Sequence, residues 1–201
     1  KIAKLEGALA ADPVTGKVGI AHTRWATHGP PTERNAHPHL SSDDSVAVVH
    51  NGIIENSNVL RTQLTALGHT FRSDTDTEVL SHLIQELYEG SLEEAVIGAL
   101  RKVEGTFGIA VVSSRDPQKI VAARKGSPLL IGVGDGEYFL ASDASAILAH
   151  TREVVFLVDG AAATVTPACL HTLALHDAPP LWKVARIEGE RACEHALHRI
   201  R

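Results

Sequence analysis

Between residues 105 and 158 the chain reads as five short apolar runs, at 107–112, 120–123, 129–133, 138–141 and 154–158, and no other feature constrains its fold as strongly. Turn signals at Asp116-Pro117 and at Gly134-Asp135-Gly136 separate three of them, so this block is expected to be a series of short strands. Ahead of it stand three stretches with helical rhythm. Val59, Leu60, Leu64 and Leu67 mark 58–67; Val79, Leu80, Leu83, Ile84 and Leu87 mark 77–88; Leu92, Ala95, Val96, Ala99, Leu100 and Val103 mark the third. Two further apolar runs, 18–21 and 46–49, precede the helices and are expected as strands. Strands, helices and strands again, in blocks, predict α+β layers and not a doubly wound parallel sheet.

Local signals sharpen the outline. Gly68 stands where a left-handed residue ends a helix, and Ser91 with Glu94 three residues later is a capping box that opens the third helix. A brief helix is expected at 144–148. Past Pro167 the texture changes to Ala, His and Arg, and both cysteines, Cys169 and Cys193, lie there. Residues 184–198 could form a basic amphipathic helix, but a solvated tail is the plainer expectation.

Composition removes several classes of function. The 201 residues, 44% hydrophobic and 21% charged, fit one globular domain large enough to need no disulfide or metal scaffold. Nineteen basic and 24 acidic residues are interspersed to a net charge of -5, which argues against a nucleic-acid partner. No apolar run approaches the roughly 20 residues needed to span a bilayer. No secretory leader pattern opens the chain, so a cytoplasmic setting is expected. The chain starts at Lys1 and contains no methionine, which reads as an incomplete gene product.

Four groups of residues are candidates for chemistry. His22-Thr23-Arg24-Trp25-Ala26-Thr27-His28-Gly29 lies where an apolar run gives way to a Gly/Pro loop. There an arginine fork could grip a carboxylate and a mobile Trp could close over it; a surface Arg with a core Trp is the bland alternative. Asn51-Gly52 could offer a side-chain amide and a backbone N–H to one point, the makings of an oxyanion hole, or could be an ordinary hairpin turn between apolar runs. In Ser73-Asp74-Thr75-Asp76-Thr77-Glu78, Thr75 and Glu78 fit a capping box; alternatively Asp76 faces a cleft and pairs with an ammonium. The twelve histidines raise a metal hypothesis through His37-Pro38-His39, His50 and the Cys169-x-His171 and Cys193-x-His195 pairs, but their spacing fits no finger or ribbon pattern, and extended backbone would turn His37 and His39 to opposite sides. No metal or cofactor is expected. Ser127, lacking a nucleophile elbow, reads as a turn residue.

The strings GIAHTRWATHG (19–29), NAHPH (35–39), VVHNGIIEN (48–56) and SDTDTE (73–78), with ARKGSPLL (123–130) and FLAS (139–142), resemble the glutaminase domain of the isomerising glutamine:fructose-6-phosphate aminotransferases. The quoted likeness ends near Thr166. It implies a class II glutamine amidotransferase domain over residues 1–166, N-terminally incomplete, followed by an atypical segment at 167–201. The implied fold is the N-terminal-nucleophile hydrolase type, a four-layer αββα sandwich, here without its first strands. By the resemblance, Arg24 holds the glutamine α-carboxylate, Asp76 its α-amino group, and Asn51 with Gly52 the oxyanion. Trp25 covers the site, and Thr27 and His28 belong to the same glutamine-binding loop.

In that family an N-terminal cysteine attacks the amide of glutamine and releases ammonia to a sugar isomerase domain. Neither that cysteine nor that domain is in this sequence. The chain is therefore expected to be inactive alone. The alternative is a non-catalytic glutamine-binding remnant or truncated product; homo-oligomer formation stays open.

Overall fold

The computed structural model describes residues 2–23, 30–166, 170–174 and 182–186, the last two segments as backbone. A six-stranded antiparallel sheet has the order β1-β2-β3-β4-β8-β9, formed by β1 (His39–Leu40), β2 (Val46–Ile54), β3 (Gly105–Ser113), β4 (Ile120–Lys125), β8 (Ala161–Val165) and β9 (Leu170–Ala174). A four-stranded sheet has the order β10-β7-β5-β6, from β5 (Leu130–Val133), β6 (Tyr138–Ala141), β7 (Glu153–Leu157) and β10 (Trp182–Arg186). Among the described residues four α-helices accompany them: α1 (Ile2–Ala11), α2 (Ser57–Ala66), α3 (Glu78–Glu86) and α4 (Leu92–Leu100).

Side-chain alternation along the strands separates the layers. Phe107, Ile109 and Val111 of β3, Val121 and Ala123 of β4 and Ala162 of β8 join the core shared with α2, α3 and α4. The intervening Ala122, Ala161, Ala163 and Val165 turn the other way and meet Ile131, Val155 and Leu157 of the second sheet. Leu130 and Val154, offset by one, pack with Ile147 on that sheet's outer face. Helices, sheet, sheet and a short outer cover therefore succeed one another, an α+β sandwich. The outer cover among the described residues is a 3-10 helix at Ala144–Ala146, a shortened form of the helix expected at 144–148.

Helix α3 is buried from Glu78 through Ile84, so it lies within the domain and presents no solvent stripe over those residues. Helix α2 ends as Gly68 requires. Its φ is 97°, His69 donates to the Leu64 carbonyl and Gly68 to that of Thr65, a Schellman closure. The Ser91 hydroxyl accepts from the Glu94 N–H at 3.3 Å and caps α4.

Three readings are corrected, and one helix is added. Residues 18–21 form no strand: the run is half-buried or exposed and pairs with no strand among the described residues, and apolar character alone does not make a strand without an edge to bond. The Asn51-Gly52 pair is not a hairpin. β2 continues through it to Ile54, in register with β3 from Val46 opposite Ser113 to Ile54 opposite Gly105. Glycine at two points allows that close ladder: Gly52 has φ 135° and Gly105 φ 117°, and a Cβ on either would lie 2.1 Å from a carbonyl oxygen of the partner strand. The tail is neither helical nor free over 182–186, because β10 pairs with β7 and β9 extends the first sheet beside β8. Helix α1, which the sequence pattern did not announce, occupies Ile2–Ala11.

Candidate functional site

The carboxyl-terminal half of β2 carries the candidate oxyanion residues, and the loop before α3 brings Asp76 to it. Asp76, 6% exposed, accepts a 2.8 Å hydrogen bond from the Ile54 N–H, two residues beyond Gly52 on the same strand. Two sequence-distant candidates, Asp76 and the Asn51-Gly52 pair, are thus brought to one strand end. Arg24, Trp25, Thr27 and His28 lie outside the described residues, as do Cys169 and Cys193.

The loop that carries Asp76 is held from several sides. Arg61 of α2 donates to the carbonyls of Ser73 (3.2 Å) and Thr75 (2.8 Å), with its guanidinium carbon 4.1 Å from the centre of the Phe71 ring. Asn35 accepts from the Asp74 N–H at 3.0 Å and donates to the Pro30 carbonyl at 3.1 Å. Arg34 pairs with the Asp74 carboxylate.

Glu78 works differently from the expected capping box. Thr75 does not cap the helix; its hydroxyl meets Ser73 Oγ at 2.9 Å and His39 Nε2 at 3.0 Å. The 2% exposed Glu78 carboxylate reaches back to accept the N–H groups of Arg72 (2.6 Å) and Ser73 (2.7 Å) and the Ser73 hydroxyl (2.7 Å). Burial pushes its pKa up. The imidazole of His82, with Nε2 3.5 Å away, and these donors outweigh burial and bring it from an ordinary 4.5 to about 2.

The histidines are built into the same region. Both nitrogens of His50 are engaged: Nε2 donates to the Thr106 carbonyl at 3.3 Å, so Nδ1 accepts from the Thr77 hydroxyl at 2.9 Å. His22 Nε2 lies 2.7 Å from Asn51 Oδ1, and His22 Nδ1 lies 3.1 Å from His37 Nδ1. His37 and His39 do not diverge, since their ring centres are 4.8 Å apart; His37 precedes β1, so strand alternation does not govern it. Among the described residues no group of three or more His, Cys, Asp and Glu side chains could hold a metal. No described helix is long and apolar enough to cross a membrane. The sequence reading missed His22 as a contact of Asn51 and Glu78 as a backbone acceptor; both lie inside quoted strings, which was the available signal.

Two face-to-face antiparallel sheets with helices packed outside the first form an α+β sandwich of the N-terminal-nucleophile amidotransferase type. Known structures agree on it. Glutamine phosphoribosylpyrophosphate amidotransferase from B. subtilis superposes with a TM-score of 0.65 at 24% identity, over 78% of this chain and 34% of that one. A glutamine aminotransferase class-II domain protein from Silicibacter pomeroyi does so with a TM-score of 0.52 at 21% identity, over 70% of each chain. Residues 22–149 match the family described as the glutamine amidotransferase domain. The chain belongs to that family, with the amidotransferase domain of glutamine–fructose-6-phosphate aminotransferases as its counterpart.

Among the relatives, the glutamine–fructose-6-phosphate aminotransferase [isomerizing] of Chlorobaculum tepidum is 60% identical over 153 residues, 74% of this chain and 25% of that protein. That of Pseudomonas syringae pv. tomato is 46% identical over 202 residues, 99% of this chain and 33% of that protein, so the likeness runs past Thr166. The chain spans about a quarter to a third of the length of the curated relatives it matches.

Proposed function

We propose that this chain is the glutamine-hydrolysing part of an isomerising glutamine–fructose-6-phosphate aminotransferase, supplying ammonia for glucosamine 6-phosphate synthesis. The observation that supports the proposal is the Ile54–Asp76 hydrogen bond, since it joins the carboxylate proposed to bind an ammonium to the strand that bears the proposed oxyanion donors. In this reading Asp76 takes the α-amino group of glutamine and Arg24 its α-carboxylate. Trp25, Thr27 and His28 complete the loop over the substrate.

A thiolate, from the cysteine that leads the domain in this family, attacks the side-chain carbonyl carbon of glutamine. The oxygen that gains the negative charge is met by the Asn51 amide and the Gly52 N–H, donors that bind the tetrahedral state more strongly than the neutral carbonyl. The C–N bond breaks, and ammonia leaves after its nitrogen takes a proton. Water then hydrolyses the thioester to glutamate. The ammonia is consumed by the sugar isomerase domain, the proposed partner, and sparse cysteine usage favours a cytoplasmic setting.

The amidotransferase unit is proposed to extend over residues 1–166, with 167–201 as its continuation. The test is release of glutamate and ammonia by the domain with a cysteine-led start preceding Lys1. Glutamate release abolished by Cys→Ala in that start supports the reading. Binding of glutamine without turnover, seen by calorimetry, would reduce the site to recognition, and absence of both would overturn the proposal.

A further inference from the structure

We infer that His22 is a positioning residue that sets which face of the Asn51 amide meets the oxyanion; this rests on the proposed glutamine hydrolysis. A carboxamide has two nearly isosteric ends, and only its NH2 end stabilises negative charge, so an oxyanion residue of this type is useful in one of its two flips. His22 Nε2 lies 2.7 Å from Asn51 Oδ1. A nitrogen facing an amide oxygen at that distance donates, which commits Oδ1 to His22 and leaves Nδ2 for the reacting oxygen.

The proton on Nε2 is in turn specified by a neighbour. In neutral His22 a protonated Nε2 leaves Nδ1 as an acceptor, and the group 3.1 Å from that atom is Nδ1 of His37, which then carries the proton of that contact. The His37 ring is held by close ring contacts on two sides, 4.4 Å from the centre of His22 and 4.8 Å from that of His39. His39 is anchored through Nε2 to the Thr75 hydroxyl at 3.0 Å. That hydroxyl meets Ser73 Oγ, which donates to the Glu78 carboxylate. The segment containing His22 forms no ladder with β2 among the described residues, and this side-chain contact joins it to the proposed oxyanion strand.

The inference is tested in two measurements. Nitrogen-15 spectra of the imidazoles in the unaltered chain should show neutral His22 protonated at Nε2 and bare at Nδ1; the opposite tautomer would overturn the assignment. In the full-length enzyme, His22→Leu should lower kcat for glutamine hydrolysis about 10- to 100-fold, a fraction of what loss of a whole oxyanion donor costs, with KM nearly unchanged. His22→Gln, whose Nε2 can occupy the position of the imidazole Nε2, should recover most of that rate, whereas a purely packing role would be restored better by Leu than by Gln. An active parent with an unimpaired His22→Leu variant refutes the role of His22 alone. A parent that hydrolyses no glutamine refutes the proposed function, and this inference with it.

Discussion

Replacing Glu78 with Gln tests how the loop before α3 is held. The carboxylate accepts at both oxygens, from the Arg72 N–H on Oε1 and from the Ser73 N–H and hydroxyl on Oε2. A carboxamide keeps one acceptor and turns an NH2 toward donors at the other, so at least one buried backbone N–H loses its partner. Its pKa falls from 4.5 to about 2 on folding. At 1.36 kcal/mol for each factor of ten in proton affinity, ionised Glu78 contributes roughly 3 kcal/mol. Because the folded value lies below the unfolded one, this stability is present in full above pH 4.5 and disappears as the pH falls toward 2.

Urea unfolding of parent and Glu78→Gln at several pH values between 7 and 2 separates the contributions. At pH 7 the variant should be less stable by about 3–5 kcal/mol, as expected when a buried charged acceptor is removed from its donors. The difference should shrink as acid protonates Glu78 in the parent. A penalty under about 1 kcal/mol at pH 7, or one that stays constant down to pH 2, would refute the reasoning.

Gly52→Ala should cost more than about 3 kcal/mol by thermal unfolding, since a methyl group at φ 135° would sit 2.1 Å from the Thr106 carbonyl oxygen. Asp76→Asn keeps an acceptor for the Ile54 N–H but removes the charge offered to an ammonium. In the full-length enzyme it should raise KM for glutamine by about tenfold or more while stability changes little, and an unchanged KM would remove Asp76 from substrate recognition. Ser91→Ala should lower stability by about 1 kcal/mol through loss of the α4 cap, read from the urea midpoint.

Periodicity made the helices and the strand block readable, because most of their apolar positions face one core: Leu60 and Leu64, Val79 and Leu83, and Ala95 and Val96 are all buried in one cluster, although Val59 and Leu67, read with Leu60 and Leu64, are exposed. The continuation of β2 through Asn51-Gly52 was not readable. The dipeptide has the same composition as a hairpin turn, and what decides against the turn is the approach of Thr106, 54 positions beyond Gly52. Residues 18–21 failed in the opposite direction, since their β-strand composition says nothing about whether a bonding edge lies beside them. Apart from the family resemblance, which joined them around one glutamine, the candidate site residues were legible only as separate fragments. Local sequence nominated Asp76, Asn51 and Gly52, but not that Asp76 bonds the strand carrying the other two, nor that His22 reaches Asn51. Such contacts span 22 and 29 residues and belong to tertiary structure.

The bond from Ile54 to Asp76 has a further consequence. One carboxylate oxygen is already turned and dried by the strand, so the ammonium proposed to bind there would meet an acceptor whose rotamer is fixed beforehand, at little entropic cost. Under the proposed function the same bond couples recognition to chemistry mechanically: tugging on the acid tugs on the backbone two residues from Gly52, the proposed oxyanion donor.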